Sequence, residues 1–285
     1  RLLNRVAAIQ RLGGGIIAIY NEDRIIPNLV KFGYPLEDAR NFANDGCWEI
    51  LIPGKTAFGY QPFDALLPLQ ETLGLSESSA NPARQKKVEC SDWLAQQRGT
   101  GLSEDFPDFE SLYTSYVHNL RQTLEPLFEE RFPNQQADGR PQPCPLLSLL
   151  IEDCIGRARS YVDGGPQYTV RSPHAGGLPD VANSLLVIRR LVYEQQTLTL
   201  ADFVEILKRD WAGQESLRRR IETQFDFYGN DNAEADALLQ RVFNDYTGIV
   251  AETPERHGLL RPAGISTFGR EGTTFLSHRT APASG

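Results

Sequence analysis

Gly46-Cys47-Trp48-Glu49 sets a thiol and a carboxylate two positions apart in a stretch with no helical periodicity. Glycine lets the backbone turn sharply just before the cysteine, and on an extended segment residues i and i+2 project to the same side. Cys47 and Glu49 can therefore address one substrate. The plainer reading is a small thiol buried in a turn, a common place for cysteine. Four imidazoles, His118, His174, His257 and His278, could serve Cys47 as the base of a Cys/His hydrolase. His174 stands in Ser172-Pro173-His174-Ala175-Gly176-Gly177, which reads as a tight loop before a helix, where functional side chains collect. No nucleophile-elbow or oxyanion-hole signature accompanies these residues.

Other candidates carry less. The Gly13-Gly14-Gly15 triplet precedes a strand-like run instead of opening a helix, so the phosphate-binding contexts are absent and it reads as a turn. Arg218-Arg219-Arg220 reads as a solvated helix face. Cys47, Cys90, Cys144 and Cys154 have neither CxxC spacing nor a nearby histidine pair, which argues against a metal site and a disulfide framework and for free thiols.

The elements that must position these side chains alternate between helix and strand. A helix is expected from Leu2 to about Leu12, a buried strand at Ile16 to Tyr20, a helix capped by Asp23 through Val30, and one or two helical turns from Leu36 to Ala43. Trp48 to Tyr60 is turn-rich and extended. Ser76 to Gly101 is polar connection with one helix near Asp92 to Gln97. Phe109, Leu112, Tyr116, Leu120, Leu124 and Leu127 predict an amphipathic helix from Asp108 to Arg131, ahead of a linker from Pro133 to Pro145. Beyond it, helices are expected at Leu146 to Tyr161, Leu178 to Glu194 and Leu200 to Lys208. A further helix starts with a capping-box-like Asp231/Glu234 pair and runs to Val250. Short extended runs lie at Gln167 to Val170 and Leu259 to Phe268. Such alternation suits an α/β fold with a mostly parallel sheet.

The composition bounds the function. The 285 residues are 40% hydrophobic and 23% charged, which is ordinary for a globular chain with a full core. The formal net charge of -8, with no basic block, disfavours nucleic acid and anionic membrane as partners. The longest apolar stretch, Ile16 to Tyr20, is too short to span a bilayer, and a soluble, cytoplasmic protein is expected. The chain opens at Arg1 and has no methionine, so a processed chain or a piece of a longer one is expected.

Several segments taken together resemble the pyruvate formate-lyase-like part of the glycyl radical enzymes. Gly33, Leu36-Glu37-Asp38-Ala39-Arg40 and Asn44-Asp45-Gly46-Cys47-Trp48-Glu49 look like the approach to that family's cysteine loop, Gly-Cys-x-Glu. Leu147 to Cys154 with Gly164-Gly165, Leu178 to Leu191, Tyr228-Gly229-Asn230-Asp231 and Arg261-Pro262-Ala263-Gly264-Ile265-Ser266 follow in matching order. The resemblance implies an α/β fold, part of a ten-stranded α/β barrel of the glycyl radical enzyme type: the second half-barrel plus the cysteine loop, with helices packed outside. Within a partial domain over 1–285, it implies a strand-helix region with the cysteine loop at 1–75, a connecting region with the long helix at 76–145, and a helix-rich half-barrel region at 146–285.

The implied chemistry is radical. A glycyl radical on a residue outside this chain, installed by a radical S-adenosylmethionine activating enzyme, makes Cys47 a thiyl that abstracts hydrogen from a small polar metabolite. Glu49 is the base, Tyr60, Asp64 and His174 line the substrate pocket, no metal is involved, and the full-length protein is a homodimer. Gly46 stands where pyruvate formate-lyase resembles a second cysteine, so acyl transfer is disfavoured and a lyase of dehydratase or decarboxylase type is expected. Carbon-oxygen elimination comes first and carboxylate-releasing carbon-carbon cleavage second. No Arg-Val-x-Gly-aromatic stretch is present, so the chain alone is expected not to turn over. A scaffold or assembly subunit that kept the fold without the radical, and a Cys/His hydrolase, are the alternatives.

Overall fold

The computed structural model describes residues 2–10, 20–44, 49–75, 106–129 and 143–265. Its N-terminal part holds α1 (Leu2–Gln10), α2 (Glu22–Phe32), α3 (Leu36–Arg40) and an antiparallel hairpin of β1 (Ala43–Asn44) and β2 (Ile50–Leu51). β3 (Thr56–Asp64) follows, then α4 (Leu66–Thr72), α5 (Phe109–Glu129), α6 (Pro145–Leu150) and a 3-10 turn at Tyr161–Asp163. β4 (Tyr168–Gly176) leads into α7 (Leu178–Ile188), which continues as a π-helical turn, Arg189–Glu194. After it come α8 (Leu200–Lys208), α9 (Glu215–Gln224), α10 (Ala233–Ala251), β5 (Glu255–Arg256), β6 (Leu259–Leu260) and β7 (Gly264–Ile265).

The sheet is parallel where it matters. β3 and β4 pair over nine residues each, from Thr56 opposite Tyr168 to Asp64 opposite Gly176. On the other edge of β4, Val170 stands opposite Leu260, and His174 and Ala175 opposite Gly264 and Ile265. β5 joins antiparallel to β6 through His257 and Gly258, both left-handed at φ 57° and 75°, the backbone a tight two-residue hairpin turn requires. Helices fill both crossovers between the parallel strands, as parallel pairing demands.

Alternation along the strands sorts their two faces. Phe63 and Ala175 turn to the helical core, where the Phe63 ring lies 5.7 Å from that of Tyr246. Phe58, Tyr60 and His174 turn the opposite way. The core is built from Leu112, Tyr116, Leu120, Leu124 and Phe128 on α5, packed with α4, α7, α8 and α10. α7 is buried nearly all round because it packs against both α4 and α10. Glu234 in the first turn of α10 pairs with both Arg189 and Arg190, which fixes the π-helical turn. On the outer helical surface a 530 Å³ cleft lies between α5 and α10, where the Arg241 guanidinium sits 3.7 Å over the Tyr113 ring and pairs with Glu110.

The helices expected at Leu178–Glu194 and Leu200–Lys208 are present at those bounds, the first with its π-helical end. The helix expected at Asp108–Arg131 is α5. The helix expected over Leu146–Tyr161 stops at Leu150, because Ile151 takes extended backbone, and Asp153 and Ala158 beyond it are left-handed at φ 71° and 50°. Gly165 then folds against the carbonyls of Arg159 and Ser160, where a Cβ would come within 2.3 and 2.8 Å, so only glycine fits. Ser172-Pro173-His174 is not a loop but the middle of β4. Its central, doubly paired position holds it extended against the glycine- and proline-rich local signal. Asp23 sits in the first turn of α2, with Asn21 at the cap position, and the α10 cap is Asn232, whose Oδ1 accepts the Glu234 and Ala235 N–H at 3.0 Å each. The strand expected at 16–20, apart from Tyr20, and the helix near 92–97 lie outside the described residues. Among the described residues no helix is long and apolar enough to cross a membrane.

Arg261 ties the third strand to this scaffold. It is fully buried and donates to the Leu127 and Phe128 carbonyls at the end of α5, both at 2.9 Å, while its own N–H reaches the Pro254 carbonyl at 2.8 Å. A guanidinium suits this place because the last carbonyls of a helix lack intrahelical donors and carry partial negative charge. Arg261→Met keeps the volume but strips the donors, and is expected to destabilise the chain by about 2–3 kcal/mol. A denaturant midpoint unchanged from wild type would refute the tie.

Candidate active site

The site begins at the β1–β2 hairpin. Asn44 is paired with Ile50, so residues 45–49 join the two strands. The root of this hairpin is bolted to the main sheet by Asp38 of α3, which is buried although charged. Lys55 Nζ donates to Asp38 Oδ1 at 2.7 Å and the Tyr168 hydroxyl donates to Oδ2 at 2.5 Å, while the Tyr34 and Tyr168 rings pack tilted, with centroids 4.5 Å apart. Lys55 first, and then the Tyr168 hydrogen bond, hold the Asp38 carboxyl below the usual carboxylate range. Burial, reinforced by Asp38, pushes the Tyr168 phenol well up. Just after β2, Ile52 N–H donates to Thr56 Oγ1 at 3.0 Å, which turns the chain directly into β3.

Glu49 enters from this hairpin and is enclosed. Its side chain has no exposure, and Oε1 lies 3.8 Å from Nδ1 of His174, itself 3% exposed. The distance is that of an ion pair when the imidazole is protonated. Enclosing a carboxylate is costly without compensating polar or charged neighbours, and the imidazole is one such neighbour. Tyr60 stacks on the imidazole at 5.3 Å and 27°, and Phe58 meets it at 6.3 Å and 62°. Tyr60, at 36% exposure, forms the open rim of this group. Ser172 Oγ donates to the Pro262 carbonyl at 2.6 Å and anchors the strand beside His174.

Of the residues singled out in the sequence, the fold thus brings Glu49, Tyr60 and His174 together. Cys47 lies outside the described residues. Asp64 stands at the far end of β3, where Oδ1 accepts the Leu66 N–H at 2.9 Å and so caps α4. His118 is on the exposed side of α5 beside Gln122, His257 is in the β5–β6 turn beside Glu129, and His278 is outside the described residues. Among the described residues no group of three or more His, Cys, Asp or Glu side chains gathers as a metal site. Sequence reasoning missed Phe58, Ser172 and Gly264. The first two share the strand alternation of Tyr60 and His174, a signal present in the sequence once the 172–174 segment is taken as strand.

The family described as pyruvate formate lyase-like matches residues 1–271. The chain is similar to trans-4-hydroxy-L-proline dehydratase of Clostridioides difficile, 27% identical over 257 residues covering 89% of this chain and 31% of the relative. It is also similar to (2S)-3-sulfopropanediol dehydratase of Klebsiella oxytoca, 26% identical over 267 residues covering 92% of this chain and 31% of the relative. A solved structure concerned with 1,2-propanediol dehydration in Roseburia inulinivorans superposes with a TM-score of 0.70 at 27% identity, covering 86% of this chain and 30% of that one. The chain therefore spans about a third of the length of the relatives it matches.

The Asp38 anchor predicts a pH dependence. A carboxylate whose folded pKa is depressed adds stability above its unfolded pKa of about 4, and that stability is lost as pH falls through the lower folded value. Melting curves of wild type and Asp38→Asn should therefore be well separated at neutral pH and converge below about pH 4. A constant gap from pH 7 down to about pH 3 would remove the ionised carboxylate from the account.

Proposed function

Because the chain belongs to the pyruvate formate lyase-like family, we propose that it forms the cysteine-loop and second half-barrel part of a glycyl radical lyase. The reaction is elimination at a carbon-oxygen bond of a small, hydroxyl-bearing metabolite. The observation that carries this reading is the enclosed Glu49 carboxylate 3.8 Å from the buried His174 imidazole, two residues beyond Cys47 in the chain. The dehydratases to which the chain is similar support the choice of elimination.

The residues present fit such chemistry, since Phe58, Tyr60 and the imidazole wall the Glu49 face and limit the access of water to a reactive carbon. When present, the glycyl radical, installed by a radical S-adenosylmethionine activating enzyme on a residue outside this chain, supplies the unpaired electron for hydrogen-atom exchange at a cysteine sulfur. Cys47 is the thiol assigned to that exchange, and covalent geometry keeps its Cα within about 7 Å of that of Glu49. Glu49 takes the substrate hydroxyl proton on a carboxylate oxygen. His174 faces that carboxylate and sets its orientation, Tyr60 contacts substrate from the open rim, and Asp64 bounds the pocket at the end of β3. Gly46 in place of a second thiol disfavours acyl transfer. β3 stands at the edge of the described sheet, where the remaining barrel strands of the complete protein, a homodimer, continue the fold.

The test uses a polypeptide that supplies the rest of the family fold, activated under anaerobic conditions and followed by the organic-radical spin signal and by substrate loss. Cys47→Ala should form the glycyl signal and show no turnover, and Glu49→Gln should lower turnover about 10²- to 10⁴-fold. Undiminished turnover in Cys47→Ala would end the proposal.

A further inference from the structure

His174 is held by two groups that the reading above leaves without a task. Tyr246, on the buried face of α10, places its hydroxyl 2.7 Å from the Pro173 carbonyl and 2.8 Å from the Gly264 carbonyl, and accepts the Gly264 N–H at 3.2 Å. The hydroxyl has one hydrogen, so it donates to one of the two carbonyls while receiving from Gly264. It thus joins the β4 backbone next to His174 to the β7 backbone at the residue registered opposite His174. Gly264 then meets the ring itself. A Cβ there would lie 2.1, 2.2 and 2.9 Å from Cδ2, Nε2 and Cε1 of His174, its three nearest atoms.

We propose that Tyr246 and Gly264 are positioning residues that seat the His174 imidazole against Glu49, an inference that rests on assigning Glu49 and His174 to the site. Among the described residues β7 pairs with β4 at two positions and β6 at one, and side-chain ties add to this pairing. The Tyr246 hydroxyl supplies such a tie at the level of the imidazole, from a ring packed in the helical core and therefore fixed in place. With the backbones held, Gly264 closes on one part of the ring while Tyr60 stacks on its face. The orientation that remains turns Nδ1 towards Glu49. A side chain at position 264 would have to occupy the space of the ring, and the ring cannot move freely because it is 3% exposed.

The test is spectroscopic and needs no turnover. The 285-residue chain, isotope-labelled in its 4 histidines, gives a His174 ring signal identified by its loss in His174→Gln. In the wild-type background Glu49→Gln should displace that signal. In Tyr246→Phe, which keeps the buried ring, the same substitution should displace it by less than about half as much, the mark of a coupling broken between neighbours. Gly264→Ala provides the second arm should Tyr246→Phe fail to fold, because its added methyl acts on the imidazole directly, and the same reduced coupling is expected. An equal displacement of the His174 signal by Glu49→Gln in wild type and in either folded variant would overturn the proposal. Reduced coupling together with normal turnover of an activated His174→Gln enzyme would support the seat and count against the functional reading alone.

Discussion

The nine-residue parallel ladder between β3 and β4 is the constraint on which the rest depends. Parallel strands cannot be joined by a tight turn, so this pairing forces the long helical crossovers that become the core. It also fixes the register that sends Phe63 and Ala175 to the helices and Phe58, Tyr60 and His174 to the opposite face. A slip of one residue would exchange the faces, burying the imidazole among leucines and exposing the core-facing residues. The helices make such a slip costly, since α4, α5, α7 and α10 have packed a continuous apolar surface on one side only.

Charge is taken into the interior at three places, each with a different solution. Asp38 is neutralised by Lys55 and hydrogen-bonded by Tyr168, and it fastens the hairpin to the sheet. Arg261 is matched to helix-end carbonyls. Glu49 faces the buried His174 imidazole. The first two arrangements tie elements of the scaffold together, whereas the third sets a carboxylate and a ring side by side on the face of the sheet away from the helical core. The three lie in sequence around the same strands: Asp38 before the hairpin, Glu49 on it, and Arg261 between β6 and β7.

Much of this was legible in the chain. The apolar spacing of Leu112, Tyr116, Leu120 and Leu124 announces α5, and the α7 and α8 bounds follow from periodicity alone, because long amphipathic or apolar helices carry a repeated signal. α9 was foreseen only as a solvated face at Arg218-Arg219-Arg220, without bounds, since it buries only Ile221. α4 was missed because it is short and contains Pro68. The strand at Ser172-Pro173-His174 was hidden by residues that locally favour a turn, and it is extended because it is paired on both edges. The arrest of the helix after Leu150 comes at Ile151, which takes extended backbone although nothing in its residue type marks a helix end.

What the sequence determined by itself was the inventory: a thiol and a carboxylate spaced to share one side of an extended segment, an alternating α/β pattern, and a run of motifs ordered like one family's. These properties are local or additive along the chain, and a linear reading reaches them. That Glu49 faces His174, that Tyr60 covers the imidazole, and that Gly264 leaves it room was decided only by the tertiary structure. Those neighbours come from a hairpin and three separate strands, and nothing in their spacing along the chain encodes the sheet register that brings them within a few ångströms of one another.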